Sequence, residues 1–140
     1  MATTSELLDR FVESFNTDRF GELEREYAPG AFAEEIGTGR RSTPEQATQE
    51  ARDWRQAFPD AQGTITNKVV EGKKGAAEIV WRGTNKGSLM GQPATGKSVT
   101  VRAAVMIETD GVKIIRSTHY IDIAGMMQQL GVTPQMQSAR

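Results

Sequence analysis

The sequence predicts an α+β fold: a cone-shaped, curved antiparallel β-sheet with three main N-terminal helices packed on its concave face, enclosing a pocket. Three observations carry this expectation. Apolar residues recur at helical spacing as far as Phe58. From Thr64 onward they alternate at the two-residue period of strands, and Asp110-Gly111 marks a tight hairpin between two of those strands. Helices followed by hairpin-linked strands give an antiparallel sheet rather than a βαβ alternation, and a strongly twisted sheet of this size curls around whatever packs on it.

The elements follow in order. Leu7, Leu8, Phe11, Val12 and Phe15 form one face of a first helix, with Thr3 and Glu6 spaced as a capping box. A shorter helix turns Phe20, Leu23 and Tyr27 inward and stops at Ala28-Pro29-Gly30. Ala31 to Ile36 reads as a short strand, and Gly37 to Ser42 as loop. Thr43 caps a third helix, with Pro44 at its first position, Gln46 closing the box, and Ala47, Ala51, Trp54 and Phe58 inward.

Four strands are then expected. Thr64 to Glu71 turns Ile65, Asn67 and Val69 one way, and Gly75 to Ser88 does the same with Ala77, Ile79 and Trp81. Ser98 to Thr109 presents Val99, Val101, Ala103, Val105 and Ile107 on one face, and Val112 to Ile123 returns. A closing helix over Gly125 to Leu130 ends at Gly131. The organisation is one domain over residues 1–132, with a flexible C-terminal tail over 133–140.

Composition narrows the function. Of 140 residues, 37% are hydrophobic and 25% charged, the balance of a soluble globular domain. Net charge is −1, without a basic run, so nucleic acid is not an expected partner. The chain has no cysteine, which removes disulfides, thiolate zinc sites and cysteine nucleophiles, and His119 is its single histidine. No apolar run approaches the roughly 18 residues of a membrane span, and the opening Met1 to Glu6 lacks the signature of a secretory leader. The expectation is a cytoplasmic protein with no membrane partner.

Gly91 to Ser98 matches the phosphate-loop pattern Gly-x-x-x-x-Gly-Lys-Ser/Thr at every required position. That pattern works only between a buried strand and a helix, where backbone N–H groups point at phosphates. Here Ser98-Val99-Thr100-Val101 continues as an alternating strand, and Asn85-Lys86-Gly87-Ser88 before it is too polar for a central one. The segment is expected to be a turn shaped by its glycines and proline.

Several segments in order are similar to the SnoaL-like polyketide cyclases: Ala57-Phe58-Pro59-Asp60, Arg82-Gly83-Thr84, Leu89-Met90-Gly91-Gln92-Pro93-Ala94-Thr95-Gly96, Tyr120-Ile121-Asp122 and Met126-Met127-Gln128-Gln129-Leu130-Gly131. The resemblance covers nearly the whole chain and implies the nuclear transport factor 2-like cone. It also implies cofactor-free aldol-type ring closure or isomerisation of a small hydrophobic carbonyl compound, an acid/base aspartate near the end of the last strand, and a homodimer. This chain departs from the pattern there. Asp122 matches one acid, but His119 stands where another Asp is usual and Ala104 where a polar partner is expected.

The candidate catalytic residues are therefore His119 and Asp122, and the candidate substrate-binding residues are Arg102, Tyr120, Trp54 and Trp81. Each has a structural alternative. His119 can be a proton acceptor or a hydrogen-bonded core residue, and Asp122 a base or the cap of the following helix. Arg102 either reaches into the cavity or is a solvated charge, and the aromatics either line the pocket or fill the core. Three functions stay open: the cyclase-type enzyme, a non-catalytic small-molecule-binding homodimer, and an epoxide-hydrolase-like activity built around Arg102.

Overall fold

A computed structural model of the chain describes residues 2–132; the tail read over 133–140 lies outside the described residues. Ten elements follow in order: α1 (Thr4–Asn16), α2 (Phe20–Arg25), β1 (Tyr27–Glu35), β2 (Arg40–Ser42), α3 (Pro44–Ala57), β3 (Gln62–Glu71), β4 (Lys74–Thr84), β5 (Ser98–Thr109), β6 (Ile114–Ile121) and α4 (Ile123–Leu130). The strands form one curved, unclosed sheet in the order β2-β1-β6-β5-β4-β3. The expected α+β cone is the observed fold.

Both capping boxes form. Thr3 Oγ1 accepts from the Glu6 N–H at 3.1 Å while Glu6 accepts from the Thr3 N–H, and Thr43 and Gln46 repeat the arrangement at α3. Each such cap satisfies two otherwise orphaned amides and is worth about 1 kcal/mol. Helix α1 lies over β3, β4 and β5, burying Leu7 and Leu8 almost completely, and α3 leans on β1, β2 and α2.

The sheet differs from the expected one in several places. Every neighbouring pair is antiparallel except β1 and β6, which run parallel. They lie far apart in the chain, so no hairpin constrains their relative direction. Strand β1 begins at Tyr27 rather than Ala31, because Pro29 and Gly30 (φ +80°) sit in an irregular stretch between the Tyr27 and Phe32 pairings and do not end the strand. The expected loop over Gly37 to Ser42 ends in the short edge strand β2. Strand β4 stops at Thr84 instead of Ser88, where the chain turns into the loop held by Asn85.

A bulge between Ile65 and Asn67 also inverts the alternation in β3. Lys68 then faces α1, where its Nζ lies 2.7 Å from Asp9 Oδ1, and Val69 is turned outward.

The segment Gly91 to Ser98 is a turn running into β5, with Gly91 and Gly96 in the left-handed region and no helix after it. Its organiser is Asn85, which is 1% exposed. Asn85 Nδ2 donates to the carbonyls of Ala57 and Gly87, and Oδ1 accepts from the Thr95 N–H and hydroxyl. Asp60, from the Ala57-Phe58-Pro59-Asp60 turn, accepts from the Thr84 N–H and hydroxyl at 2.7 and 2.8 Å. These bonds hold the Asp60 carboxyl below its ordinary pKa.

Near this loop β6 gives way to α4, leaving Thr100 of β5, paired with Arg82 of β4 on one side, without a strand on its other side. The Gln129 side chain takes that place: its Oε1 accepts from the Thr100 N–H and its Nε2 donates to the Thr100 carbonyl, both at 2.8 Å.

Candidate functional site

Between the helices and the inner face of the sheet lies a cavity of about 200 Å³ with largely apolar walls. Phe11 and Phe15 of α1, Trp54 of α3, Trp81 of β4, Val101 of β5 and Met126 of α4 all line it. Their identities follow from the periods that built the elements, since inner-face positions of the helices and of every strand but β3 converge here. Phe15 and Trp81 meet edge to face, 4.9 Å between ring centroids, and Trp54 stacks on Phe58 at 6.1 Å. Trp81 lies across Gly63 of β3. A Cβ there would stand 2.6 Å from the indole, so only glycine lets the ring adopt this position.

Arg55 locks the roof. Its guanidinium donates to the carbonyls of Phe15, Phe58, Pro59 and Ala61, stands 4.6 Å over the Phe15 ring, and pairs with Asp18 at 2.7 Å. Nothing in helical periodicity announces this, because an arginine in the last turn of a helix usually faces solvent.

His119 projects from β6 into the cavity, half-buried, opposite Val105 on β5 and with its ring 5.4 Å from Phe11. Nε2 lies 2.8 Å from Ser117 Oγ, and Ser117 Oγ lies 2.7 Å from the Tyr27 hydroxyl. Ser117 and Tyr27 are 1% and 5% exposed. Burial lowers the His119 pKa to about 4 and pushes the Tyr27 phenol up to about 12, so both are neutral at pH 7. Sequence reasoning nominated His119 but assigned no role to Tyr27 or Ser117. Only the β1–β6 pairing brings them together.

The carboxylates that border the cavity are already engaged. Glu34 pairs with Arg41 and Arg116, Glu50 pairs with Arg40 and accepts from the Ser42 hydroxyl, and Glu35 accepts from Thr38.

Of the other nominated residues, Trp54 and Trp81 are in the wall. Tyr120 touches the cavity's border, yet it alternates with His119 along β6 and is 42% exposed. Asp122 and Arg102 are not among the lining residues. Asp122 caps α4, its Oδ1 accepting from the Gly125 N–H at 2.9 Å, which is the structural alternative the sequence offered. Arg102 is exposed and sits on the opposite face of β5 from Val101, because strand alternation turns it outward. His119, Asp122 and Arg102 therefore do not converge. Among the described residues no group of three or more His, Cys, Asp or Glu side chains could hold a metal ion, and no helix is long and apolar enough to cross a membrane.

The sequence model of the family described as SnoaL-like polyketide cyclase matches residues 5–130. Among solved structures, IdmH of Streptomyces antibioticus, provisionally assigned as a polyketide cyclase, is 26% identical, with 94% of this chain and 100% of that chain aligned at a TM-score of 0.83. AclR of Streptomyces galilaeus, provisionally assigned as a hydroxylase, is 18% identical over 94% of this chain and 97% of its own, at 0.84. A Catenulispora acidiphila protein with a ketosteroid isomerase-like fold, solved with trimethylamine, is 20% identical over 94% and 96%, at 0.79. No curated protein sequence matches the chain.

Proposed function

The chain belongs to the SnoaL-like polyketide cyclase family, and from that premise we propose that it carries out cofactor-free acid/base chemistry on a small hydrophobic carbonyl compound, an aldol-type cyclisation or isomerisation, with His119 as the residue that engages the carbonyl function. The observation that supports this reading most is the placement of His119. It is a neutral imidazole in an apolar cavity, and the carboxylates around that cavity are tied up in other contacts. Enolisation needs a polar group aimed at the developing oxyanion and a dry wall that holds the chain folded. Trp54, Trp81 and Phe11 supply such a wall. With Asp122 committed to the helix cap and Arg102 outside, neither residue on which the epoxide-hydrolase-like reading rests lines the cavity.

The test is deuterium incorporation from solvent at the α-carbon of small aryl β-diketones, with binding followed by the fluorescence of Trp54 and Trp81. The wild type is expected to exchange the label above background. His119→Gln is expected to lose about 100-fold or more of that rate while still binding. Binding without exchange in the wild type would refute the enzymatic reading and leave the non-catalytic binding module.

That module has an observation of its own. On the outer face of the sheet Val69, Ala76 and Met106 are direct cross-strand partners, and in the next row Ala104 and Tyr120 pair, followed by Glu78 and Asn67. Val69, Met106 and Tyr120 are 63%, 50% and 42% exposed. An apolar row on a sheet face suits pairing with a second copy, and a homodimer is part of the proposal under either reading.

A further inference from the structure

From the hydrogen-bond chain Tyr27–Ser117–His119 we infer that His119 carries its proton on Nδ1, the nitrogen turned to the cavity, so that it meets a ligand carbonyl as a hydrogen-bond donor and not as a base. Tyr27 and Ser117 are the positioning residues that fix this. The inference rests on the proposed carbonyl chemistry for its purpose, but not for its evidence.

The evidence is an accounting of three protons. The Tyr27 hydroxyl, the Ser117 hydroxyl and His119 Nε2 are linked in series at 2.7 and 2.8 Å, and none of the three has another hydrogen-bond partner among the described residues. If Nε2 bore the proton, it would donate to Ser117 Oγ. The two hydroxyls would then have only each other, and since their one O···O contact carries one proton, the other buried O–H would be unpaired, whichever way Ser117 turned. An unpaired buried hydroxyl costs roughly 1–3 kcal/mol. If Nε2 is bare, Tyr27 donates to Ser117, Ser117 donates to Nε2, and both buried hydroxyl protons have a partner, while the ring proton on Nδ1 faces the open space of the cavity. A phenol is also the stronger donor of the two hydroxyls, which sets the same direction.

The second nitrogen then holds the proton. Nδ1 has no protein partner among the described residues and is not among the sealed atoms, and the open space beside His119 is the cavity. No charged group competes for it. Phe11 faces the ring from α1, Val105 stands opposite on β5, and Glu35, the β1 residue in register with His119, accepts from Thr38. Nothing near the ring favours a second proton, and burial disfavours it, so the imidazole enters any encounter neutral. A neutral imidazole N–H aimed at a carbonyl oxygen polarises it and holds the enolate while keeping its proton. Proton removal from carbon then falls to solvent or to the ligand's own basic groups.

Because His119 is the only histidine, a ¹⁵N-imidazole spectrum of the full chain holds one ring and needs no assignment. At pH 7 the Nδ1–H tautomer is expected to exceed Nε2–H by about tenfold, the bias that one buried hydrogen bond sets. Ser117→Ala and Tyr27→Phe, checked for native circular dichroism, should shift the ring toward the Nε2–H form. A predominantly Nε2–H or doubly protonated ring in the wild type would overturn the inference. So would folded variants that leave the tautomer unmoved. If either variant fails to fold, the wild-type spectrum still decides. An inactive protein with an Nδ1–H ring would sink the proposed reaction and leave this assignment standing.

Discussion

Two buried titratable side chains pull stability in opposite directions along the pH axis. His119 titrates near 6.5 when unfolded and near 4 when folded, so the unfolded chain takes up the extra proton first. Its contribution is complete above about pH 6.5 and is lost as pH falls toward 4. Against His119→Gln, the wild type should lose on the order of 3 kcal/mol more between pH 7 and 4 in urea titrations. Glu26 is the mirror case. Both its carboxyl oxygens are sealed without a hydrogen-bond partner among the described residues, and burial raises its pKa from 4.5 to about 8. The folded chain keeps a proton there that the unfolded chain releases, so stability is complete below about pH 4.5 and declines as pH rises through 8. Glu26→Gln should flatten that alkaline decline, gaining on the order of 2 kcal/mol at pH 9; an unchanged profile would mean that the carboxyl is hydrated. At this scale the sequence was only partly legible. The position of His119 followed from its place before Tyr120-Ile121-Asp122, but its partner Tyr27 is 90 residues from Ser117. No local pattern encodes a contact across a parallel strand pair.

The elements were read more fully, and their misreadings share a cause. Capping boxes, helical stripes and the Asp110-Gly111 turn are local chemistry, so Thr3, Thr43 and the bounds of β5 were found from sequence. Where the backbone departs from period, at Pro29-Gly30 in β1 and at the bulge in β3, alternation assigned the wrong stretch or the wrong face. The outward turn of Val69 is the visible result. Gly63 shows how one such position shapes the cavity from outside it. Gly63→Ala should displace the Trp81 indole, cost about 2 kcal/mol as an overpacked site, and shift tryptophan emission without altering helix content. Unchanged emission would show that the strand, not the ring, gives way.

For the molecule as a whole, helices on one face and exposed apolar side chains on the other make a two-sided sheet. The inner side has its cover in α1 and α3, and the outer row has none among the described residues. Met106→Lys puts a charge in that row and should shift a dimer to monomer in sedimentation while leaving thermal stability of the monomer nearly unchanged. A wild type that sediments as a monomer at high concentration would end the dimer proposal. The cone and its pocket were legible at this scale because period, order and the run of family segments agree. The reaction was less so, because Asp122 and Arg102 owe their places to a helix cap and to strand alternation.

Gln129 gives the sheet a clock. Its amide stands in for a strand that β5 lacks, so the Thr100 N–H is protected only while α4 is docked. An eight-residue helix does not persist alone in water, and Met126 on the same helix closes one wall of the cavity. Undocking α4 would therefore release the Thr100 amide to solvent and breach the cavity in one event. Hydrogen exchange at that single amide would time how often the enclosed space opens, and a bound ligand would slow it.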